Sequence, residues 1–431
     1  MRMERLTHIQ QAVSVAVRTL QPEIVAALQE LVRIPSQTGG EGLAQEAVAR
    51  LMRAHDLAVD VWEPDETALE PHAESVTLGS GFAGRPNVVG VCRGEGDGRS
   101  LILNGHIDTV EVGDPSAWSY APLGGDVVDG RLYGRGACDM KGGVVANLFA
   151  LRALRQAGFA PAGDVIVEST ISEEDGGAGA LAAVLHGYLA DGALISEPTN
   201  LAIVTAQGGA LMFRLEVQGL SAHACVRDEG VSAVEKFALL HKGLLAFEAR
   251  RNAEISHPQY AGMRIKAPIN IGIVRGGSWA SSVPESLTAE ARAGLVPGED
   301  LETFKIEVAA EIGRLADDDP WLRDHPPQVT WLDGQFAPAG VPADSPLVRA
   351  LSQAWQVTRS SPARIEAVTY GADMRHFVNT GGVPCVMFGA GDVRLAHAPD
   401  ESIPLEDLLT AITTTAVLIA NWCGVGRTNH P

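Results

Sequence analysis

The first half of the chain alternates helical patterns with short apolar runs. Apolar side chains recur at helical spacing over residues 8–33, and residues 43–55 predict a second helix. Apolar runs bounded by glycine and polar residues predict buried strands at 88–92, 101–104, 164–171 and 193–195. Between the later strands, the patterns predict helices at 141–156 and 178–186. This alternation predicts an α/β fold with a mostly parallel central sheet covered on both faces.

The pattern changes near residue 208. Residues 210–218 alternate apolar and polar side chains, as a half-exposed strand does. Further patterns predict a helix at 232–249, strands at 269–274 and 287–295, a helix at 301–315 and a strand at 328–332. The order β-α-β-β-α-β is typical of a small sheet with helices on one face. Because residues 337–431 resume the α/β pattern, we predict one domain from 1–207 and 337–431, interrupted by an inserted α+β domain at 208–336.

Charge and composition narrow the class of partner. The 431 residues carry a formal net charge of −20 and 46% are hydrophobic. An acidic surface repels phosphate backbones and anionic lipid, which argues against nucleic acid and membrane partners. The apolar stretch 408–422 is too short to span a bilayer and contains four threonines. We predict that it forms a buried helix.

Cysteine usage and the first residues bear on the compartment. The five cysteines are scattered and none forms a CxxC pair, which argues against a disulfide framework and against a thiolate zinc site. Residues 1–10 have mixed charge and no apolar core of a signal peptide. We therefore predict a reducing, cytoplasmic location.

Candidate chemistry lies in five short motifs rich in carboxylates and histidines. Three of them directly follow predicted strands, where ligands collect in open α/β sheets. We therefore expect their side chains to converge at one sheet edge. The motifs are residues 104–108, 136–142, 172–175, 196–199 and 396–400.

The adjacent pair Glu173 and Glu174 is the most informative of these. Two neighbouring acids at a strand end repel each other unless cations or protons compensate them. One can bind a metal ion while the other accepts a proton from water at that metal. Alternatively, the pair is a solvated acidic cluster that favours the following helix through its dipole. Asp108 also has two alternative interpretations: it could orient His106, or it could cap the turn that follows.

The glycine-rich segment 134–143 places Asp139 at its centre. It matches neither GxxxxGK[ST] nor GxGxxG, and an aspartate suits a cation better than a phosphate. The three carboxylates of Asp139, Glu174 and Glu197, with one hydroxide, would balance two Zn²⁺ ions. Without metal, three converging carboxylates would be costly to bury. We therefore predict two divalent metal ions, with zinc first and cobalt or manganese as alternatives.

Taken together, the five motifs resemble the M20 family of metallopeptidases and deacylases. This family includes acetylornithine deacetylase, succinyl-diaminopimelate desuccinylase, aminoacylase-1 and carboxypeptidase G2. The resemblance extends over residues 20–422. It implies a di-zinc exopeptidase-like catalytic domain, into which a lid and dimerisation domain is inserted.

The resemblance also implies a role for each motif residue. His106 and His397 would each bind one metal ion, and Asp139 would bridge the two. The remaining roles would be Glu197 beside His106, Glu174 beside His397, Glu173 as general base and Asp108 as the residue that orients His106.

Substrate contacts follow the family pattern less closely. His223, in the segment 219–224, resembles the lid histidine that reaches the partner subunit's active site, which implies a homodimer. Ser281 stands where many members have Asn, and Gly294 where many have the Arg that holds the substrate carboxylate. Arg375 is a candidate replacement, since its planar guanidinium suits a carboxylate. The alternative is a structural pair between Arg375 and Asp373.

The function predicted from these residues is that of a metal-dependent amidohydrolase. It would remove the N-acyl group of an amino acid or related small amine. A dipeptidase or carboxypeptidase of the same family is the first alternative, and an aminopeptidase of another di-zinc fold is a further one. A non-catalytic binding protein on this scaffold is the last, although the complete ligand set argues against it. The acyl group itself depends on pocket shape, which the pattern does not encode.

Overall fold

The computed structural model describes residues 3–72, 76–79 and 81–427. All the predicted helices are present, with ends shifted by no more than five residues. The helices are α1 (Met3–Arg33), α2 (Gly42–Ala54), α3 (Glu66–Leu69), α4 (Gly142–Gln156), α5 (Ala178–His186), α6 (Ala233–Glu254), α7 (Leu301–Asp317), α8 (Pro320–Asp324), α9 (Pro346–Arg359) and α10 (Leu405–Cys423).

The strands include all those predicted and several short ones that were not. They are β1 (Ala58–Trp62), β2 (Asn87–Cys92), β3 (Leu101–His106), β4 (Val127–Val128), β5 (Arg131–Tyr133), β6 (Phe159–Pro161), β7 (Val165–Thr170), β8 (Ala193–Ile195), β9 (Ile203–Gln207), β10 (Gly209–Gln218), β11 (Ile269–Gly276), β12 (Ser286–Leu295), β13 (Gln328–Trp331), β14 (Ala339–Gly340), β15 (Ile365–Val368), β16 (Cys385–Met387), β17 (Ser402–Pro404) and β18 (Val425–Arg427).

The main sheet is mixed, with the predicted parallel strands at its centre and antiparallel pairings on either side. Its order is β1-β2-β7-β3-β8-β16-β9-β14, with β15 beside β9. The four central strands β7, β3, β8 and β16 run parallel to one another. By contrast, β2 pairs antiparallel with both β1 and β7, and β16 pairs antiparallel with β9. Hydrophobic patterning reports burial but not strand direction, so these antiparallel pairings were invisible in the sequence.

The chain divides into two compact units. The first contains the described residues up to Thr205, then Gly340–Glu366, and then those from Ala372 onward. Its core includes α10, which packs against α1, α4 and α9 and is buried on nearly every face, as predicted for 408–422. No helix among the described residues combines the length and apolar character that crossing a bilayer requires.

The second unit comprises Ala206–Ala339 and Ala367–Gly371. Its antiparallel sheet has the order β11-β12-β10-β13. The alternating apolar residues of β10 and β12 are buried together with apolar side chains of α6 and α7. These elements follow one another along the chain as β-α-β-β-α-β, with the short α8 before the last strand.

Candidate metal centre

Strand geometry gathers the predicted ligands of the first unit at one sheet edge. His106 is the last residue of β3 and is paired in register with Thr170, the last residue of β7. The chain leaves β7 into the turn that carries Glu173 and Glu174, and it leaves β8 two residues before Glu197. Because β3, β7 and β8 are parallel, their carboxyl ends meet at the same edge.

Asp139 lies between the two candidate histidine ligands. Its Oδ1 atom is 3.1 Å from His106 Nε2, and its Oδ2 atom is 3.6 Å from His397 Nε2. A carboxylate that offers one oxygen to each of two imidazoles has the arrangement of a bridging metal ligand. This geometry divides the cluster into two halves that share Asp139.

Each half adds one glutamate. In the His106 half-site, Glu197 Oε1 lies 4.0 Å from His106 Nε2. In the His397 half-site, the Glu174 carboxylate oxygens lie 3.1 and 3.0 Å from His397 Nε2. One ligand atom from each of His106, Asp139 and Glu174 falls within 4.8 Å of the others. Nitrogen and carboxylate oxygen donors at this spacing fit divalent metal ions.

Asp108 is completely buried and connects His106 to the acidic turn, which is formed by residues 172–177. His106 Nδ1 is 3.0 Å from the Asp108 carbonyl oxygen and 3.6 Å from carboxylate Oδ1. The Asp108 carboxylate also accepts the backbone N–H groups of Glu173 and Glu174, each at 3.1 Å, and the Thr38 hydroxyl at 3.0 Å. Burial opposes ionisation of Asp108, yet these hydrogen bonds and His106 lower its pKa.

The electrostatics of the cluster favour bound positive charge. Burial raises the pKa of Glu173 and of Glu197 well above the ordinary value, and raises that of Glu174 as well. Neighbouring carboxylates add to each rise, notably Asp139 beside Glu197. Because every negative charge here is both desolvated and close to others, the cluster is stabilised by cations. The donor set and its charge therefore fit two divalent ions.

The turn that carries Asp139 is held by Glu401, which the sequence analysis missed. Glu401 Oε1 accepts the backbone N–H groups of Cys138 and Asp139 at 2.9 and 3.0 Å. Its Oε2 accepts a hydrogen bond from Arg135 Nη1 at 2.6 Å. The only signal was its position directly after the fifth motif. The motif's own Asp400 instead accepts hydrogen bonds from Ser119.

Arg375 is buried beneath the acidic turn, with 2% of its surface exposed. Its Nη2 atom donates to the Gly176 carbonyl at 2.6 Å. Burial lowers the pKa of Arg375 to about 10, although the nearby charge of Asp373 opposes this shift. The contact with Gly176 is to the backbone of the turn, so a carboxylate-binding role for Arg375 and its structural pairing with Asp373 both stay predictions.

His223 belongs to the second unit, on a segment that follows β10. Its Nδ1 atom accepts the backbone N–H of Cys225 at 3.2 Å, and its backbone pairs with Ser282 in an isolated bridge. Residue 281, predicted to replace a family Asn, precedes that bridge. Gly294 lies in β12 against Pro268, so a side chain at this position would collide with that proline. An arginine there would require the neighbouring segment to shift.

Comparison with known proteins identifies the family. The family model described as Peptidase family M20/M25/M40 matches residues 102–421, which is most of the chain. The chain belongs to this family. The resemblance inferred from the five motifs is thus confirmed, and the protein is an M20 hydrolase.

Two relatives illustrate the range of M20 chemistry. The chain is 32% identical over 364 residues to an N-formyl-4-amino-5-aminomethyl-2-methylpyrimidine deformylase of Bacillus subtilis, covering 79% of this chain and 84% of the relative. It is 31% identical over 353 residues to an acetylornithine deacetylase of Myxococcus xanthus, covering 78% of this chain and 84% of the relative. Both relatives are named for the removal of an acyl group.

A solved structure supports the fold. The Bacillus subtilis YXEP protein, described as a dinuclear metal binding peptidase of the M20 family, aligns with a TM-score of 0.63 at 15% identity. The alignment covers 93% of this chain and 98% of that one. The M20 family is dependent on dinuclear metal centres, and the His106–Asp139–Glu174 group is a possible metal site in this chain.

Proposed function

We propose that this M20 amidohydrolase removes a small N-acyl group from an amino acid or related amine, using two divalent metal ions. The observation that supports this most directly is the Asp139 carboxylate, which faces both His106 and His397. We propose Zn²⁺ as the native metal, with Co²⁺ or Mn²⁺ as alternatives, because imidazole and carboxylate ligands accept all three.

The ions would be held by the two half-sites. The His106 half-site would hold one ion with Glu197, the His397 half-site would hold the other with Glu174, and Asp139 would serve both. When bound, the ions polarise the scissile carbonyl and acidify the attacking water. The role of Asp108 would be to fix the orientation of His106.

Glu173 is the proposed general base and, later, the general acid. It is adjacent to Glu174, and its backbone N–H is fixed by the Asp108 carboxylate at 3.1 Å. Its carboxylate would accept a proton from the attacking water and then give that proton to the leaving amine nitrogen. A base that carries the proton between two positions must stay in place during turnover, and the Asp108 contact supplies that restraint.

Two further residues are proposed to contact substrate. His223 would donate a hydrogen bond to the carbonyl oxygen as negative charge develops there, from the lid of a partner subunit. Arg375 would bind a substrate carboxylate only if the acidic turn above it moved, because its guanidinium is buried and donates to Gly176. The names of the two relatives support a small acyl group such as formyl or acetyl.

The second unit is proposed to act as the lid and to form a homodimer. Strand β11 lies at the edge of its sheet and exposes the apolar side chains of Ile273 and Val274. Helix α6 exposes Leu239 and Leu245. An exposed edge strand with apolar side chains favours pairing with another chain. Sedimentation of wild type and of Val274→Lys tests this proposal. We expect the variant to dissociate into monomers, and an oligomeric state equal to that of wild type would contradict the homodimer.

The proposed location is the cytoplasm, and the proposed partner is the small substrate alone. Support comes from the five unpaired cysteines, Cys92, Cys138, Cys225, Cys385 and Cys423, which suit a reducing compartment. The net charge of −20 argues against nucleic acid.

A hydrolysis screen tests the proposal. Metal-free protein would be loaded with Zn²⁺, Co²⁺ or Mn²⁺ and assayed on N-formyl, N-acetyl and N-succinyl amines beside dipeptides. We expect release of the acyl group from at least one of the first three. Cleavage of dipeptides alone would favour the peptidase alternative, and no cleavage of any amide with any metal would favour a binding protein.

A further inference from the structure

A buried ion pair lies behind the acidic turn, residues 172–177. The Arg85 Nε and Nη2 atoms donate to the two Glu41 carboxylate oxygens at 2.7 and 2.6 Å. Their side chains are 5% and 0% exposed. Nη1 of Arg85 donates to the Gly81 carbonyl at 2.7 Å. Because burying two charges costs desolvation energy, such a pair is weak evidence of added stability, and its further contacts become informative.

The further contact of Arg85 is with the acidic turn itself. Its Nη2 atom also donates to Ser172 Oγ at 2.5 Å. Ser172 is the first residue of the turn and has a φ of +59°, which residues other than glycine seldom adopt. The Ser172 carbonyl accepts the Gly177 N–H at 2.5 Å and so closes the turn. Arg85 therefore holds the residue at which the chain reverses toward Glu173.

The loop that supplies Glu41 holds the same turn from its other side. Glu41 Oε2 accepts the Gly39 N–H at 3.1 Å, which fixes the loop just beyond Thr38. The Thr38 hydroxyl donates to Asp108, and Asp108 accepts the N–H groups of Glu173 and Glu174. Segments far apart in sequence thus converge on a turn of six residues.

From these contacts we infer that Arg85 is a positioning residue for Glu173 and Glu174, an inference that rests on the proposed function of the two half-sites. Arg85 contacts Ser172 but neither glutamate, so it acts through the turn. Its guanidinium charge also lies near the carboxylates of Asp108 and Asp175 and interacts favourably with both. Arg85 thereby offsets part of the repulsion among the acids around the turn.

Ser172→Gly is the cleanest test. Glycine tolerates the positive φ of Ser172, so the variant removes the hydroxyl without opposing the backbone conformation. Loss of an outer contact of this kind weakens metal binding by about 10–100-fold. We expect that loss for the ion held by Glu174, together with a comparable fall in kcat. The ion held by His106 and Glu197 should bind as in wild type.

Arg85→Lys and Arg85→Met extend the test. A lysine keeps the charge but cannot donate two parallel hydrogen bonds to Glu41 and a third to Ser172. If Arg85 acts through Ser172, the Arg85→Lys/Ser172→Gly double variant should be little worse than Arg85→Lys alone. Additive losses would oppose the inference. If Arg85→Met fails to fold, Ser172→Gly and Arg85→Lys still test whether Arg85 positions the turn.

The measurement is stepwise Co²⁺ binding to full-length metal-free protein, followed by visible absorption and by competition with a chelator. Arg18→Lys is the matched control, because Arg18 makes an exposed two-point contact with Glu406 at 2.7 Å and should leave both affinities unchanged. Unchanged binding of both ions and unchanged kcat in Ser172→Gly and Arg85→Lys would overturn the inference. A wild type that binds no divalent ion would instead contradict the proposed function.

Discussion

The two half-sites share Asp139 but are built on different kinds of backbone. His106 ends a central strand and is 2% exposed, with Asp108 behind it. His397 lies on a loop with a φ of +60°, and its side chain is 53% exposed. Its contacts within the cluster are to Glu174 and Asp139, at 3.0 and 3.6 Å.

This difference shows how one cluster can combine a fixed position with an adaptable one. Side chains on strands are held more precisely than side chains on loops. The His106 half-site is therefore arranged before any ion binds. The His397 half-site must be held by contacts of its loop, such as those of Asp400 with Ser119. We expect the first to bind its ion more tightly and the second to exchange its ion more readily.

The largest expected effect comes from the proposed general base, Glu173, which belongs to neither half-site. Glu173→Ala should lower kcat by about 10²–10⁴-fold, which is the usual contribution of a general base. Elemental analysis should still find two ions per chain, since Glu173 is not a proposed ligand. Near wild-type kcat with both ions bound would remove Glu173 from the mechanism.

Single ligand removals compare the halves directly. His397→Ala should remove one ion and leave the other, because only the His397 half-site loses a donor. The affinity of the His397 half-site for its ion should fall by a larger factor than the loss of about 10–100-fold that is typical of an outer contact. His106→Ala should affect the tighter ion, as measured by chelator competition. If the two half-sites of wild type bound their ions with equal affinity, the expected difference between the strand-borne His106 and the loop-borne His397 would be contradicted.

A buried carboxylate outside both half-sites, Glu168, measures how strongly burial opposes ionisation in the first unit. Burial raises the pKa of Glu168 from 4.5 to about 8, although Asn104 donates to one of its oxygens at 3.0 Å. Since the folded state holds this proton more tightly, stability should fall as pH rises from 4.5 to 8, by up to about 1.4 kcal/mol per unit. Glu168→Gln should remove that fall.

Denaturant unfolding of wild type and Glu168→Gln at several pH values measures this difference. The free energy of unfolding of the variant, relative to that of wild type, should increase steadily between pH 5 and 7 and should change little below pH 4. Parallel stability curves across this range would show that Glu168 is not a source of the pH dependence.

The smallest expected effect concerns the support of Asp108. Thr38→Val keeps the side-chain shape but removes the hydroxyl that donates to Asp108 Oδ2. A hydrogen bond of this kind contributes about 0.5–1.5 kcal/mol, so kcat should fall by up to about 10-fold. Thr19→Val is the control, since its hydroxyl bonds only to the Val15 carbonyl on the exposed face of α1. Equal kcat values in the two variants would leave Asp108 independent of Thr38.

Much of the fold could be read from periodicity. Long or strongly apolar elements such as α1, α10 and β7 were predicted because their burial leaves a clear pattern. The three-residue β8 was predicted from its apolar run, but other strands of two or three residues, such as β4 and β17, carry no such pattern. The five-residue β1 has alternating exposure only in part, and it was missed as well. The parallel centre of the main sheet was predicted, but the antiparallel pairings of β2 and β9 were not, because side-chain polarity reports burial and not strand direction.

For the candidate site, the motif residues were predicted from the sequence, but the residues that hold them in place were not. His106, Glu174 and Glu197 were found because each follows a predicted strand of the same sheet. Glu401 and Arg85 were not, since each acts on backbone or hydroxyl groups far away in sequence. The positive φ of Ser172 was equally hidden, because serine gives no sign of a conformation that its neighbours impose.

The order of segments along the chain has a consequence for biosynthesis. The first unit is interrupted by the second and receives His397 only after its return. During translation, a nascent chain that already carries His106, Asp139, Glu174 and Glu197 therefore still lacks the last of the proposed donors. We expect hydrolytic activity only after residue 397 has emerged, and we expect a product that ends before this residue to be inert.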